Sequence, residues 1–204
     1  MLEDLLKITD EIGFEDDGQV RCMSKSFDGD LVHLVVSIVI LTADHFAQEW
    51  RVTCHGVRTM GDNGYGDSLL LIEESPLLMP YQTEHGSLSF RGKPDNVDAA
   101  IGALWRRHKQ VVGDEIPFEQ FVNCGSLWDL LEGGFGRLAC GPIPLITAYE
   151  EVLQEHGIEG KVSQVGMPNR LVGDKLVEEN GDVRMLLVGS EYVIAERFEA
   201  TKIE

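Results

Sequence analysis

A glycine-rich turn over Glu132–Gly141 has the residue types of a phosphate-binding loop. Residues 134–139 read Gly-Phe-Gly-Arg-Leu-Ala and match the dinucleotide-binding pattern G-x-G-x-x-A letter for letter. That pattern binds phosphate only where a strand precedes the first glycine and a helix begins directly after the last. Here SLWDLLEGG before it predicts a helix, and FGRLAC predicts an extended segment. We therefore predict that Gly133-Gly134 ends a helix. No Gly-Lys-Ser/Thr occurs anywhere, which excludes a P-loop.

Cysteine and histidine are the other candidates for chemistry, and their spacing matches no catalytic or metal-binding motif. The four cysteines contain no C-x-x-C, and the six histidines contain no H-x-H and no H-E-x-x-H. The neighbours Cys54 and His55 point to opposite faces of a strand and cannot pair. The best distant combination is His55 with His85, beside the Glu132–Gly141 turn. It gives an alternative hypothesis of a small-molecule-binding or enzymatic domain, whereas we predict no metal and no cofactor.

The net charge is strongly negative and indicates the class of partner. The 204 residues include 17 basic and 35 acidic side chains, a net charge of −18. Such a charge repels nucleic acid and anionic membranes and attracts basic proteins, although solubility alone also accounts for it. The one basic cluster, Arg106–Lys109, has a single aromatic neighbour. We therefore predict no nucleic-acid partner.

Cellular location is predicted from what the sequence lacks. The first residues are acidic and amphipathic and have no basic start followed by an apolar run. The longest apolar run, Leu31–Leu41, has 11 residues and is interrupted by His33 and Ser37. A membrane span needs about 20. We expect a cytoplasmic protein with reduced thiols and no membrane partner.

The first half of the chain predicts an antiparallel meander. A helical pattern over residues 2–12 is followed by alternating or β-branched runs, and the Asp-Gly of FDGD between two of them is a hairpin signal. We predict that Leu31–Leu41 is a central strand buried on both faces. The four meander strands are predicted at 19–26, 31–41, 47–59 and 68–74, with a short fifth strand at 87–92 after a loop at 74–86.

The second half predicts helices and then a β tail. Helices are expected at 93–112, 118–123, 126–134 and 142–156, with a loop at 163–173. The tail over residues 175–200, with turns at Asn180-Gly181 and Gly189-Ser190, predicts a three-stranded antiparallel unit. The fold class is therefore α+β: an antiparallel sheet (meander) packed against helices, with a C-terminal β-hairpin unit. We predict one domain over 1–204, with a possible subdivision near 113–116 between sheet-rich 1–113 and helix-rich 114–204 plus the C-terminal hairpins.

Charge and absent motifs together favour a non-enzymatic, acidic, cytoplasmic protein-binding module. An immunity or antitoxin-type protein that neutralises a basic partner fits by type. The predicted binding residues are the apolar group in the loop PLLMPYQ and two acidic residues of FEDDG, namely Leu78, Met79, Tyr81, Asp16 and Asp17. Alternatively, that loop folds over the core. A homo-oligomer formed through an edge of the C-terminal sheet is a third hypothesis.

Overall fold

The computed structural model describes residues 2–10, 17–29, 31–40, 46–62, 64, 66–172 and 174–203. Antiparallel sheets pack with helices, so the predicted α+β class is confirmed. In the described residues the helices are α1 Leu2–Leu6, α2 Met79–Gln82, α3 Val97–Val112, α4 Leu127–Gly133 and α5 Ile143–Glu155. The strands are β1 Gly18–Asp28, β2 Leu31–Ile40, β3 Phe46–His55, β4 Thr59–Asp62, β5 Ser68–Ile72, β6 His85–Arg91, β7 Phe135–Pro142, β8 Glu159–Gly166, β9 Asn169–Val172, β10 Lys175–Glu178, β11 Arg184–Gly189, β12 Glu191–Ala195 and β13 Arg197–Ile203.

The chain forms two compact units. The first comprises residues 1–74 and 183–204, and the second comprises residues 75–182. The predicted subdivision at 113–116 falls inside the second unit. The single domain over 1–204 stays a prediction.

The first unit contains two four-stranded antiparallel sheets, in the orders β1-β2-β3-β13 and β4-β12-β11-β5. The hairpin predicted at FDGD is confirmed, because Asp28 pairs with Leu31. Three strands of the predicted meander are adjacent, but the fourth is not, since β5 pairs with β11. Alternation of apolar and polar residues indicates a strand but does not identify the strand it pairs with. The partner of β5 lies more than a hundred residues further along the chain.

Strand β2 is buried on one face and half-buried on the other, so the prediction of a strand buried on both faces is wrong. The buried side chains alternate along it from Val32 to Ile40, and those from Val32 to Ile38 join one core cluster with β11 and β12. The opposite row is partly exposed and includes His33, whose Nδ1 lies 3.1 Å from Thr53 Oγ1 on β3. Only one side of this sheet therefore faces the core.

Both sheets of the first unit share a bent strand pair that we call the corner, formed by residues 55–59 and 194–197. On one side of the bend His55 pairs with Arg197, and on the other Thr59 pairs with Ile194. The Arg58 side chain is only 4% exposed, donates to the Gly56 carbonyl and forms an ion pair of 2.7 Å with Glu196 Oε1. The chain bends here with Gly56 at φ +62°, where an added Cβ would lie 2.6 Å from the Glu196 carboxyl group.

The second unit packs helices against the three-stranded sheet β7-β6-β8. Helix α3 begins where Asn96 caps it, its side chain accepting from the Ala99 amide at 2.9 Å. The apolar pattern of residues 97–108 predicts Leu104, Trp105 and His108 on one face of this helix. Leu104 and His108 are fully buried, but Trp105 is 50% exposed and lies under the Lys109 ammonium group. The prediction is wrong for Trp105, because it follows Leu104 and each residue turns a helix by about 100°.

Other elements of the second unit correct the predicted loops. The predicted loop at 74–86 contains a 3₁₀ turn at Pro76–Leu78 and helix α2, because Ser75 Oγ accepts from the Leu77 amide and proline fits a first turn. The predicted loop at 163–173 contains the end of β8 and all of β9. The helix predicted at 142–156 is confirmed as α5. Its predicted apolar stripe is buried and comprises Leu145, Ile146, Tyr149, Val152 and Leu153.

The C-terminal tail does not form one three-stranded unit. The hairpin predicted at Gly189-Ser190 is confirmed, because β11 pairs with β12. The strand before Asn180-Gly181 is β10, which pairs with β9, and β13 pairs with β3. The predicted strands exist, but their distant partners are not visible in local periodicity.

Candidate functional site

The glycine-rich turn ends a helix, as predicted. Gly134 adopts a left-handed φ of 78° after α4, and its amide donates to the carbonyls of Leu130 and Leu131. The chain then enters β7, and the next helix begins only at Ile143. Because no helix begins directly after the glycines in the sequence, this turn lacks the geometry of a dinucleotide site.

His55 lies on the surface of the first unit in a polar cluster with Arg197 and Glu199 of β13. Its Nε2 is 3.5 Å from Glu199 Oε2, and its Nδ1 is 3.2 Å from Arg197 Nη2. Both partner side chains are more than half exposed. A carboxylate therefore stands beside this imidazole, but on an open, solvated sheet surface.

His85 belongs to the second unit and has a different environment. Its Nε2 is 2.9 Å from the Pro80 carbonyl oxygen, and its ring meets Phe121 edge-on. Burial lowers the pKa of His85 below its ordinary 6.5, which favours the neutral ring at pH 7. Phe121 also lines a pocket of about 220 Å³ with Arg137 and Cys140. Two parts of the alternative site, His85 and the end of the Glu132–Gly141 turn, therefore lie next to Phe121.

The first unit contains a thiol–carboxylate–amine cluster that the sequence does not predict. Cys22 and Glu191 line a pocket of about 300 Å³, and Glu191 forms an ion pair of 2.5 Å with Lys25. Burial, followed by the Glu191 charge, raises the pKa of the Cys22 thiol to about 11. Burial likewise raises the pKa of Cys54 to about 12. Since the thiolate is the nucleophile, both thiols are held in their unreactive form at pH 7.

Two kinds of site are absent from the part of the chain that the structure describes. No three His, Cys, Asp or Glu side chains converge as a metal-binding group among these residues. None of the described helices combines the length and the apolar composition that a membrane crossing requires.

The five residues predicted to bind a partner have different surroundings. Asp16 lies outside the described residues, and Asp17 is exposed in the first unit. Leu78 is fully buried, which corrects its prediction as a contact residue, because a side chain without exposed surface cannot touch a partner. Met79 packs against the core of the second unit, and Tyr81 is half-buried. The alternative that this segment folds over the core therefore holds for Leu78.

An exposed apolar surface of the second unit is not predicted from the sequence, because part of it lies in a predicted loop. Strands β9 and β10 form a two-stranded antiparallel ribbon. Leu171 and Leu176 are directly opposite each other and are 69% and 73% exposed. Cross-strand partners and alternate residues share a face. We call this face the ribbon face; it comprises Asn169, Leu171, Leu176 and Glu178, all of them exposed.

The other ribbon face is only partly covered. Arg170 and Val172 are half-buried there, whereas Lys175 and Val177 of β10 are exposed. Arg170 Nε lies 3.6 Å from Glu179 Oε1, and the Glu179 residue is only 5% exposed. The Glu179 amide donates to the Pro168 carbonyl at 2.8 Å. The ribbon is therefore anchored at its base while the ribbon face is open to solvent.

Comparisons of the chain with protein-family models, with curated proteins and with solved structures find no match.

Proposed function

We propose that this protein is a non-enzymatic, acidic, cytoplasmic binding module that grips a basic protein through the ribbon face. The observation that carries the proposal is the exposed Leu171–Leu176 pair, with the Glu178 carboxylate beside it. Exposed apolar residues at the centre of a polar surface are typical of protein interaction sites. An immunity or antitoxin-type protein that neutralises a basic toxin is the biological class that fits this surface.

Charge supports a basic partner. The second unit carries 16 acidic and 9 basic residues, a net charge of −7, and the whole chain carries −18. Asp174, in the turn of the ribbon, is exposed as well. Such a field accelerates encounter with a cationic surface, and the acceleration decreases as salt rises.

The candidate sites for enzymatic chemistry support an enzymatic function less than the ribbon face supports protein binding. The Cys22 thiol is protonated at pH 7, and the carboxylate beside His55 lies on an open surface. The enzymatic alternative is best represented by the pocket at Phe121, Arg137 and Cys140, beside His85. A ligand bound there would leave the ribbon face without a role.

The proposal is tested by affinity capture from a lysate of the source cells at low and high salt. The tagged chain is compared with the double variant Leu171→Ser/Leu176→Ser. We expect one basic protein to be retained at stoichiometric level by the native chain at low salt, and to be lost at high salt. The double variant should retain at least about tenfold less, since buried interface anchors dominate affinity.

A matched control is Phe27→Ser, which removes another large apolar side chain that is 70% exposed, but in the first unit. It should capture the same partner as the native chain. Equal capture by the native chain and the double variant would overturn the proposal, as would the absence of any specific basic partner at low salt.

A further inference from the structure

One hydrogen bond shows which opposite residues of β9 and β10 form hydrogen-bonded pairs. The Glu179 amide donates directly across to the Pro168 carbonyl, so these opposite residues form a hydrogen-bonded pair. Such pairs alternate along an antiparallel ladder. Arg170 with Val177, and Val172 with Lys175, are therefore hydrogen-bonded pairs as well.

The outer edge of β10 consequently presents free backbone groups. Leu176 and Glu178 occupy the alternate positions, so their N–H and C=O groups point away from β9. All four residues of β10 are exposed, and in the described residues β10 pairs only with β9. An edge strand of this kind is a template for one more strand.

A second copy of this chain is a poor occupant of that edge. Antiparallel pairing requires outward-facing residues to meet. Symmetric pairing of two β10 strands then sets Leu176 against Leu176 with Asp174 against Glu178, or sets Leu176 against Glu178. The first register opposes like charges and the second opposes a leucine to a carboxylate. The net charge of −18 on each chain adds repulsion.

We propose that the edge of β10 binds an extended, basic segment of the partner protein as an added strand. Backbone groups of Leu176 and Glu178 would pair with the segment. Apolar side chains of the segment would cover Leu171 and Leu176, and its lysine or arginine side chains would lie near Glu178 and Asp174. This mode, in which backbone pairing supplies affinity and side chains supply selectivity, is common in peptide recognition. It rests on the proposed function and specifies how the partner is held.

The test uses the full chain and the short synthetic peptide Thr-Lys-Thr-Val-Thr-Lys-Thr, called the lysine peptide, which as a strand carries lysine, valine and lysine on one face. The same peptide with glutamate in place of both lysines is its control. Binding is followed at low salt by fluorescence anisotropy, and hydrogen exchange is followed residue by residue by NMR. We expect the lysine peptide to bind and to slow exchange of the Leu176 and Glu178 amides roughly tenfold or more. The Val177 amide, which already donates to β9, reports that the ribbon is intact.

Two substitutions at one position separate charge from backbone pairing. Glu178→Gln removes the carboxylate and keeps the outward N–H, and should weaken binding of the lysine peptide a few-fold. Glu178→Pro removes the N–H as well, without removing a β9–β10 hydrogen bond, and should weaken binding by roughly a further tenfold.

The outcomes distinguish the two proposals. Binding that requires Leu171 and Leu176 but leaves the Leu176 and Glu178 amides unprotected overturns strand addition and leaves the proposed function standing. Absence of saturable binding by the lysine peptide also overturns strand addition, whereas the proposed function is decided by the affinity capture. Protection of these amides that rises with protein concentration, without peptide, would show pairing between copies and overturn the inference.

Discussion

The corner of the first unit and the ribbon of the second unit place their side chains in opposite ways. At the corner a charged side chain, Arg58, is 4% exposed and is paired with Glu196. On the ribbon two apolar side chains, Leu171 and Leu176, are about 70% exposed and face solvent. A buried, paired charge maintains a fold, because breaking it leaves an uncompensated charge. Exposed leucines add little to a fold and are available to a partner.

The largest expected effect is at the corner. Arg58→Ala removes the partner of Glu196 and of the Gly56 carbonyl, and should lower the free energy of unfolding by about 3 kcal/mol, the lower end for a buried pair. Urea denaturation followed by circular dichroism measures it. The matched control is Arg197→Ala on the neighbouring strand, a 60% exposed residue whose loss should cost less than about 1 kcal/mol. Equal losses for the two variants would remove the contrast on which the comparison is built.

The ribbon should show the opposite pattern. Leu171→Ser/Leu176→Ser should weaken partner binding at least about tenfold, while the free energy of unfolding changes by less than about 0.5 kcal/mol per exposed site. Binding is measured by titration with the captured partner, and unfolding by the urea assay. A variant that loses stability and binding together would assign the two leucines to the fold instead.

The buried His85 ring of the second unit should make the free energy of unfolding depend on pH. The pKa of His85 is lowered by burial, so the unfolded chain binds more protons than the folded chain below about pH 6.5. Its contribution to stability is therefore complete above pH 6.5 and is lost as pH falls through the lower, folded pKa. His85→Gln should flatten this part of the stability profile in urea titrations between neutral and mildly acidic pH. An unchanged slope would contradict the burial of this ring.

The smallest effect concerns the thiol cluster of the first unit. With a pKa of about 11, Cys22 should be alkylated by iodoacetamide at pH 7 far more slowly than an ordinary exposed thiol. Glu191→Gln removes the neighbouring negative charge and should raise the rate. Peptide mass spectrometry follows Cys22 separately from the exposed Cys140. Rapid labelling of native Cys22 at pH 7 would favour a reactive thiol and thereby the enzymatic alternative.

Local elements were predictable because local residues determine them. The Asp28–Leu31 hairpin, the Gly134 helix end and the α5 stripe each depend on turn chemistry or on periodicity within one segment. Strand partners were not predictable in this way. β5 meets β11, and β13 meets β3, across most of the chain, and no local pattern records such a pairing.

The candidate surface was missed for a related reason. Asn169–Val172 lies in a predicted loop, because four residues are too few for alternation to distinguish a strand from a loop. Lys175–Glu178 is predicted as a strand, but its pairing with Asn169–Val172 is not. The sequence instead predicts apolar contact residues in PLLMPYQ, where Leu78 is buried. Exposure of a leucine is a property of the folded chain, and composition does not reveal it.

The most direct test of the ribbon face is photo-crosslinking in living source cells. A photoreactive phenylalanine derivative is placed at Leu176 and, in a separate chain, at Phe27, an equally exposed position in the first unit. We predict a single crosslinked product with a basic protein from position 176, and none with that protein from position 27. Crosslinking of the basic partner from position 27 alone, or of no basic protein from position 176, would contradict the account.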